Sequence, residues 1–233
     1  MADTEKIYAV LTGDLVQSSR LTAEQSQQAM DQIRKFTQEL AFLYPESYVA
    51  QVDTFRHDSW QWLLAEPSLA LRAALFIRTG LRTVSQNKTK LDTRIAIGIG
   101  STEIISTQRI SDSRGMAFTL SGRALDNMES GRMVYTEGEK ANSEKSGLAA
   151  GIVPLLDCIV TDWTMTEAQA VYGALMGWTQ EQTAKKWPFS DEKEKRPTRQ
   201  AVQKSLRRAH WHSVEAVLQW VENRKKATSR GCY

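Results

Sequence analysis

Apolar periodicity changes along the first 135 residues in an order that few architectures accommodate. Ile7–Leu11 is a short continuous apolar run, the pattern of a buried strand. Thr22–Leu43 then places Ile33, Phe36, Leu40 and Leu43 on one helical face, with Gln and Asp residues opposite, before Pro45 ends it. Tyr48–Phe55 and Ser59–Leu64 alternate and are separated by Arg56-His57-Asp58, which predicts a hairpin. Ser68–Ser85 is a second amphipathic helix, opened by Pro67. Thr93–Ile99 is β-branched and apolar. A polar loop leads to a helix over Gly115–Met128, and Arg132–Tyr135 reads as a further strand.

The order β-α-β-β-α-β, followed by a helix and a strand, predicts an α+β fold on the ferredoxin-like plan. That plan is an antiparallel sheet with helices on one face. It brings the end of the first strand beside the central hairpin. Asp14, just past the first apolar run, then approaches Asp58 at the hairpin tip.

The pattern turns all-helical after about Gly151, so we expect two domains, residues 1–150 and 151–233. Ile152–Asp162, Thr166–Met176, Thr179–Trp187, Thr198–Ala209 and Ser213–Val221 read as helices. A charged loop, Pro188–Pro197, precedes the fourth. A short helix, a turn and a basic helix make a helix-turn-helix candidate, with a connection longer than the usual three or four residues.

Charge supports that reading. From Gln182 onward there are thirteen basic and five acidic side chains, a surplus of eight, whereas the whole chain carries only +3. The remainder is therefore slightly acidic, and a basic segment on such a body suits a polyanion, most simply duplex DNA. Arg199, Gln200, Gln203, Lys204, Arg207 and Arg208 are the candidate recognition-helix residues, with Lys185 and Lys186 against phosphates. The plain alternative is a solvated helix face. No run of eighteen apolar residues predicts a membrane span, and the polar N-terminus is unlike a signal peptide. Cys158 and Cys232 lie far apart with no metal-like partners, as suits a reducing cytoplasm.

Two carboxylates on neighbouring strands can hold Mg²⁺ or Mn²⁺ against a triphosphate. Their plain alternative is turn chemistry at Gly13-Asp14 and His57-Asp58. Trp60 and Trp62, two apart, should share one buried sheet face. Gly98 and Gly100 read as close helix–strand contacts, and His210-Trp211-His212 as a helix terminus with Trp211 inward.

Three segments resemble the class III nucleotide cyclase domain. Asp14-Leu-Val-Gln-Ser-Ser-Arg-Leu is similar to its first metal motif, and His57-Asp58-Ser59-Trp60 to its second hairpin. Asp112-Ser-Arg-Gly-Met-Ala-Phe-Thr-Leu-Ser-Gly-Arg123 is similar to its Asp-Tyr-x-Gly-x-x-Val-Asn-x-Ala-x-Arg motif. Nearly the whole chain resembles the SatD-like family of bacterial proteins, a cyclase-type domain followed by a helix-turn-helix. The matching residues are Thr12-Gly13-Asp14 with Ser18, Asp58–Leu64, Arg94–Gly100, Ala117-Phe118 with Arg123-Ala-Leu125, and Gln200–Ala209 with Trp211.

The resemblance implies metal positions at Asp14, Asp58 and the Leu15 carbonyl. It implies nucleotide-binding positions at Ser18, Ser19, Asp112 and Thr119, and a catalytic position at Arg123. It also implies a homodimer. Thr119 replaces the transition-state asparagine, Thr54 a base-selecting lysine, and His57 the glycine beside the second aspartate. Losing one such contact costs roughly 10²–10³ in rate. The expected function is a DNA-binding regulator with a degenerate cyclase-like sensor or dimerisation domain. The alternative is an Mg²⁺-dependent nucleotidyl cyclase or related NTP-using transferase.

Overall fold

The structure, a computed structural model, describes residues 6–84, 90–138, 151–187 and 196–228. It is an α+β protein. Strands β1 (Ile7–Leu15), β2 (Asp53–Phe55), β3 (Ser59–Leu64), β4 (Thr93–Ser101) and β5 (Met133–Glu137) form one sheet in the order β2-β3-β1-β4-β5. The first four pair antiparallel, and β5 joins β4 in parallel.

Helices α1 (Ala23–Leu43) and α2 (Ala70–Thr83) cover one sheet face. Alternation along β1 sends Ala9, Leu11 and Leu15 to that face, where they join Trp60, Trp62, Ile95 and Ile97 in one buried cluster. The two tryptophans share this face, as their spacing predicts. Each places its indole N–H on an acceptor: Trp60 on Thr93 Oγ1 at 3.0 Å and Trp62 on the Ala50 carbonyl at 3.1 Å.

Helix α3 (Met116–Asp126) lies on the opposite face, so the sheet is covered on both sides rather than one. It can approach because Gly98 has no side chain. A Cβ there would fall on the Ala117 carbonyl oxygen and 2.6 Å from the Ser121 nitrogen. Thr12 and Ser121 share a hydrogen bond of 2.8 Å across this contact.

The predicted strand Tyr48–Phe55 is shorter than its pattern suggests. Pro45–Ser47 is a 3-10 turn, Tyr48 makes only an isolated bridge to Leu64, and regular pairing begins at Asp53. The Ala50 carbonyl serves the Trp62 indole.

The helical half comprises α4 (Val153–Asp162), α5 (Met165–Leu175), α6 (Gln180–Lys185), α7 (Arg199–Arg208) and α8 (Trp211–Thr228). Thr164 and Thr179 start α5 and α6 with capping boxes to Glu167 and Gln182. All fourteen residues of α2 are buried, because α5 covers the side that the sheet does not. Phe36, Phe76 and Tyr172 meet ring to ring across α1, α2 and α5. Arg72 on α2 is clamped by Glu222 and Glu215 of α8, at 2.5 and 3.2 Å. One buried cluster therefore runs from Ala9 to Val221. Helices α6 and α7 sit further out, around Ala170, Ala184, Trp187 and Val202. Of the predicted loop Pro188–Pro197, residues 188–195 lie outside the described residues.

Candidate functional site

The β1 register sets Asp14 opposite Ser59 of β3 and Arg94 of β4, on the α3 face. The hairpin tip beside it holds Asp58, whose carbonyl accepts the Leu15 N–H at 2.9 Å. The sheet thus brings the two aspartates to one edge. Arg94 closes on Asp14 with both prongs: Nε donates to Oδ1 at 2.8 Å and Nη2 to Oδ2 at 2.5 Å. Its Nη1 reaches the Met128 carbonyl at 3.3 Å. The Asp14 hydrogen bonds raise the Arg94 guanidinium above its ordinary value, against the opposing effect of desolvation. Asp58 accepts from the Ser18 hydroxyl at 2.7 Å and the Ser59 hydroxyl at 3.1 Å. Ser19 is exposed beside them.

This geometry bears on a divalent ion at the site. Both Asp14 oxygens serve Arg94, so a cation must displace a charge-assisted fork to use them. Among the described residues, no group of three or more His, Cys, Asp or Glu side chains is placed to hold a metal ion.

Among the described residues, no hydrogen bond or ion pair joins Thr54, Asp112, Thr119 or Arg123 to this pair. Thr54 takes a hydrogen bond from Arg34 of α1, which puts it on the face opposite Asp14. Thr54 lines an open polar cleft of about 530 Å³ with Arg34, Asp53, Thr107 and Gln108. Asp112 is exposed at the end of a 3-10 turn, and Ser111 beside it donates to Asp53 through both its N–H (3.1 Å) and its hydroxyl (2.6 Å). That bond brings the Asp112 turn to the β2 edge, near Thr54. Thr119 and Arg123 are exposed on α3, and Thr119 bonds back to the Gly115 carbonyl. His57 is exposed in the turn.

A second cluster, which the sequence reading missed, lies immediately behind the Asp14 edge. Asp92, two residues before Arg94, takes Arg78 on both oxygens at 3.0 Å, Arg82 at 2.8 Å and Arg132 at 2.6 Å. Arg78 also reaches Asp157 of α4 at 2.6 Å. Burial would raise the Asp92 carboxyl, but Arg78 and Arg82 outweigh it and hold Asp92 well below the usual carboxylate range. Burial pulls Arg82 down, and the like charges of Arg78 and Arg132 add to that pull against Asp92. Three guanidiniums therefore share two carboxylates. The signal in the sequence was an Arg pair four apart within an apolar helix, together with Asp157 amid the apolar residues of Val153–Val160.

The basic helix presents the opposite situation. Val202 is the buried residue of α7, while Arg199, Gln200, Gln203, Lys204, Arg207 and Arg208 are all exposed. Among the described residues, Lys204, Arg207 and Arg208 form no ion pair. Thr198 caps the helix by accepting the Ala201 N–H at 3.2 Å. On α6, Lys185 pairs with Glu181 at 2.7 Å, and the Lys186 ammonium, just past its end, lies 4.7 Å from the Trp178 ring centroid. Both are therefore engaged within the chain.

No protein-family model matches this chain, and no curated protein matches it. Among the described residues, no helix is long and apolar enough to cross a membrane.

Proposed function

We propose that this protein is a cytoplasmic regulator of the SatD-like kind. Its α7 binds duplex DNA, and its sheet half is a degenerate cyclase-like sensor or dimerisation unit. The observation that carries the reading is the exposed cationic face of α7, on which, among the described residues, Lys204, Arg207 and Arg208 form no ion pair while Val202 packs inward with Ala170 of α5 and Ala184 of α6. A helix with several cations and amides free on one face is suited to phosphates and base edges in a major groove. The α6–α7 pair serves as the helix-turn-helix.

For the sheet half, the strand order β2-β3-β1-β4 is the order expected of a ferredoxin-like βαββαβ unit, to which β5 adds a parallel edge. Asp14 and Asp58 at the same end of the sheet, together with the Asp112 turn at the Thr54 edge, favour a nucleotide, with or without Mg²⁺ or Mn²⁺, as the sensed ligand. The Arg94 fork and the replaced Thr119 and Thr54 positions weigh against turnover.

The test is fluorescence anisotropy with a labelled mixed-sequence duplex at low salt. The parent should bind, and Lys204→Glu with Arg208→Glu should abolish binding while leaving the fold intact by circular dichroism. The rival cyclase or transferase reading draws on the same pair of aspartates. It predicts pyrophosphate release from an NTP with Mg²⁺ or Mn²⁺, lost in Asp14→Ala.

A further inference from the structure

The Asp14 edge and α7 are joined by a continuous line of buried and part-buried hydrogen bonds. The Thr93 hydroxyl donates to the Asp14 carbonyl at 2.6 Å and accepts the Trp60 indole N–H at 3.0 Å. The Thr93 N–H donates to Asp92 Oδ1 at 2.9 Å, and Asp92 Oδ2 accepts from Arg82 Nη2 at 2.8 Å. Arg82 Nη1 donates to the carbonyls of Thr161 at 3.0 Å and Trp163 at 2.9 Å. The Trp163 indole N–H then donates to the Ala209 carbonyl at 3.0 Å, at the C-cap of α7.

Three properties make this line more than packing. Thr93, Asp92, Arg82 and Trp163 are all within 2 % of full burial, so water cannot replace a bond that one of them loses. Arg82 is the least balanced member: it belongs to a cluster with one more guanidinium than carboxylate, and its buried Nε has no hydrogen-bond partner among the described residues. The far end is sensitive as well. Ala209 follows directly on the last turn of α7, where carbonyls lack helical partners and depend on outside donors. That turn carries Arg207 and Arg208.

The near end is the part that a ligand can reach. Asp14 and Arg94 are 20 % and 36 % exposed at their side chains, and both lie on the backbone that Thr93 holds. A charged ligand that draws off either partner acts directly on that backbone.

We propose that Thr93, Asp92, Arg82 and Trp163 form a relay: opening the Asp14–Arg94 fork loosens the last turn of α7. The regulatory meaning of the relay rests on the reading of α7 as the DNA-binding helix, whereas the coupling itself does not. A ligand can shift such an equilibrium only by its differential affinity for the open and closed forks.

Hydrogen exchange on the full-length protein tests the coupling without DNA or ligand. Asp14→Asn and Arg94→Gln each open the fork. Each should speed exchange of the amides from Leu206 to His210 by roughly three- to tenfold. Trp163→Phe should speed the same amides alone, and adding Asp14→Asn to it should add nothing. Thr93→Val provides a second cut should Trp163→Phe fail to fold. Asp53→Asn, at the β2 edge outside the line, should leave these amides unchanged. The relay is refuted by unchanged α7 exchange in Asp14→Asn. It is equally refuted by an Asp14→Asn effect that survives the cut, or by exchange that rises uniformly over the chain. A parent protein that binds no duplex would overturn the DNA reading and leave these exchange outcomes standing.

Discussion

Asp14 and Arg94, directly opposite each other in the β1–β4 pair, form a two-pronged ion pair at 2.8 and 2.5 Å. The sheet that brings Asp14 to Asp58 also supplies the guanidinium that occupies it. An arginine at this register makes cation binding a competition. Arg94→Ala should bind Mn²⁺ more tightly than the parent, read as loss of the free-ion signal in electron paramagnetic resonance. Equal affinity would show that Arg94 does not compete. The pair is partly exposed, so Arg94→Ala should cost no more than about 1 kcal/mol of stability by urea unfolding.

Asp92 is the buried counterpart. Its folded carboxyl is held below the unfolded value near 3.9 by the surrounding arginines. The stabilisation is therefore complete above that pH and is lost as pH falls toward the depressed value. Asp92→Asn leaves three guanidiniums short of a partner and should cost about 3–5 kcal/mol at pH 7. The deficit relative to the parent should shrink when the comparison is repeated below pH 4 (approximately the ordinary aspartate value). A deficit independent of pH would mean that the charge of Asp92 is not what stabilises.

Gly98 permits the approach of α3. A Cβ there meets main-chain atoms of Ala117 and Ser121 rather than a movable side chain. Gly98→Ala should destabilise by about 1–3 kcal/mol in thermal or urea unfolding. At Gly122, where an added Cβ meets nothing within 4 Å, the alanine substitution should be neutral or stabilising.

The local order of elements was readable because each carries its own punctuation. Thr22 with Gln25 and Thr179 with Gln182 form capping boxes at the predicted starts. The alternation around Trp60 and Trp62 gave their shared buried face, and Trp211 opens α8 against the core as expected. Boundaries slipped where tertiary contacts decide. α5 is capped by Thr164, two residues before the predicted start, and α8 runs to Thr228, well beyond Val221. At the site, local motifs located Asp14 and Asp58 but not Arg94 as a partner, because that pairing depends on the register of β1 with β4. The Asp92 cluster was hidden for a similar reason. Arg78 and Arg82 look like the polar face of an amphipathic helix until α4 and α5 bury it.

The measurement that bears most directly on α7 is the salt dependence of duplex binding. The parent should bind at about 50 mM salt and weaken steeply toward 200 mM, with a slope of about −0.9 per phosphate contacted. Lys204→Ala and Arg208→Ala should each weaken binding, and each should reduce the slope by about one if it contacts a phosphate. No duplex binding at low salt, or an affinity and slope indifferent to Arg199, Lys204, Arg207 and Arg208, would contradict the account.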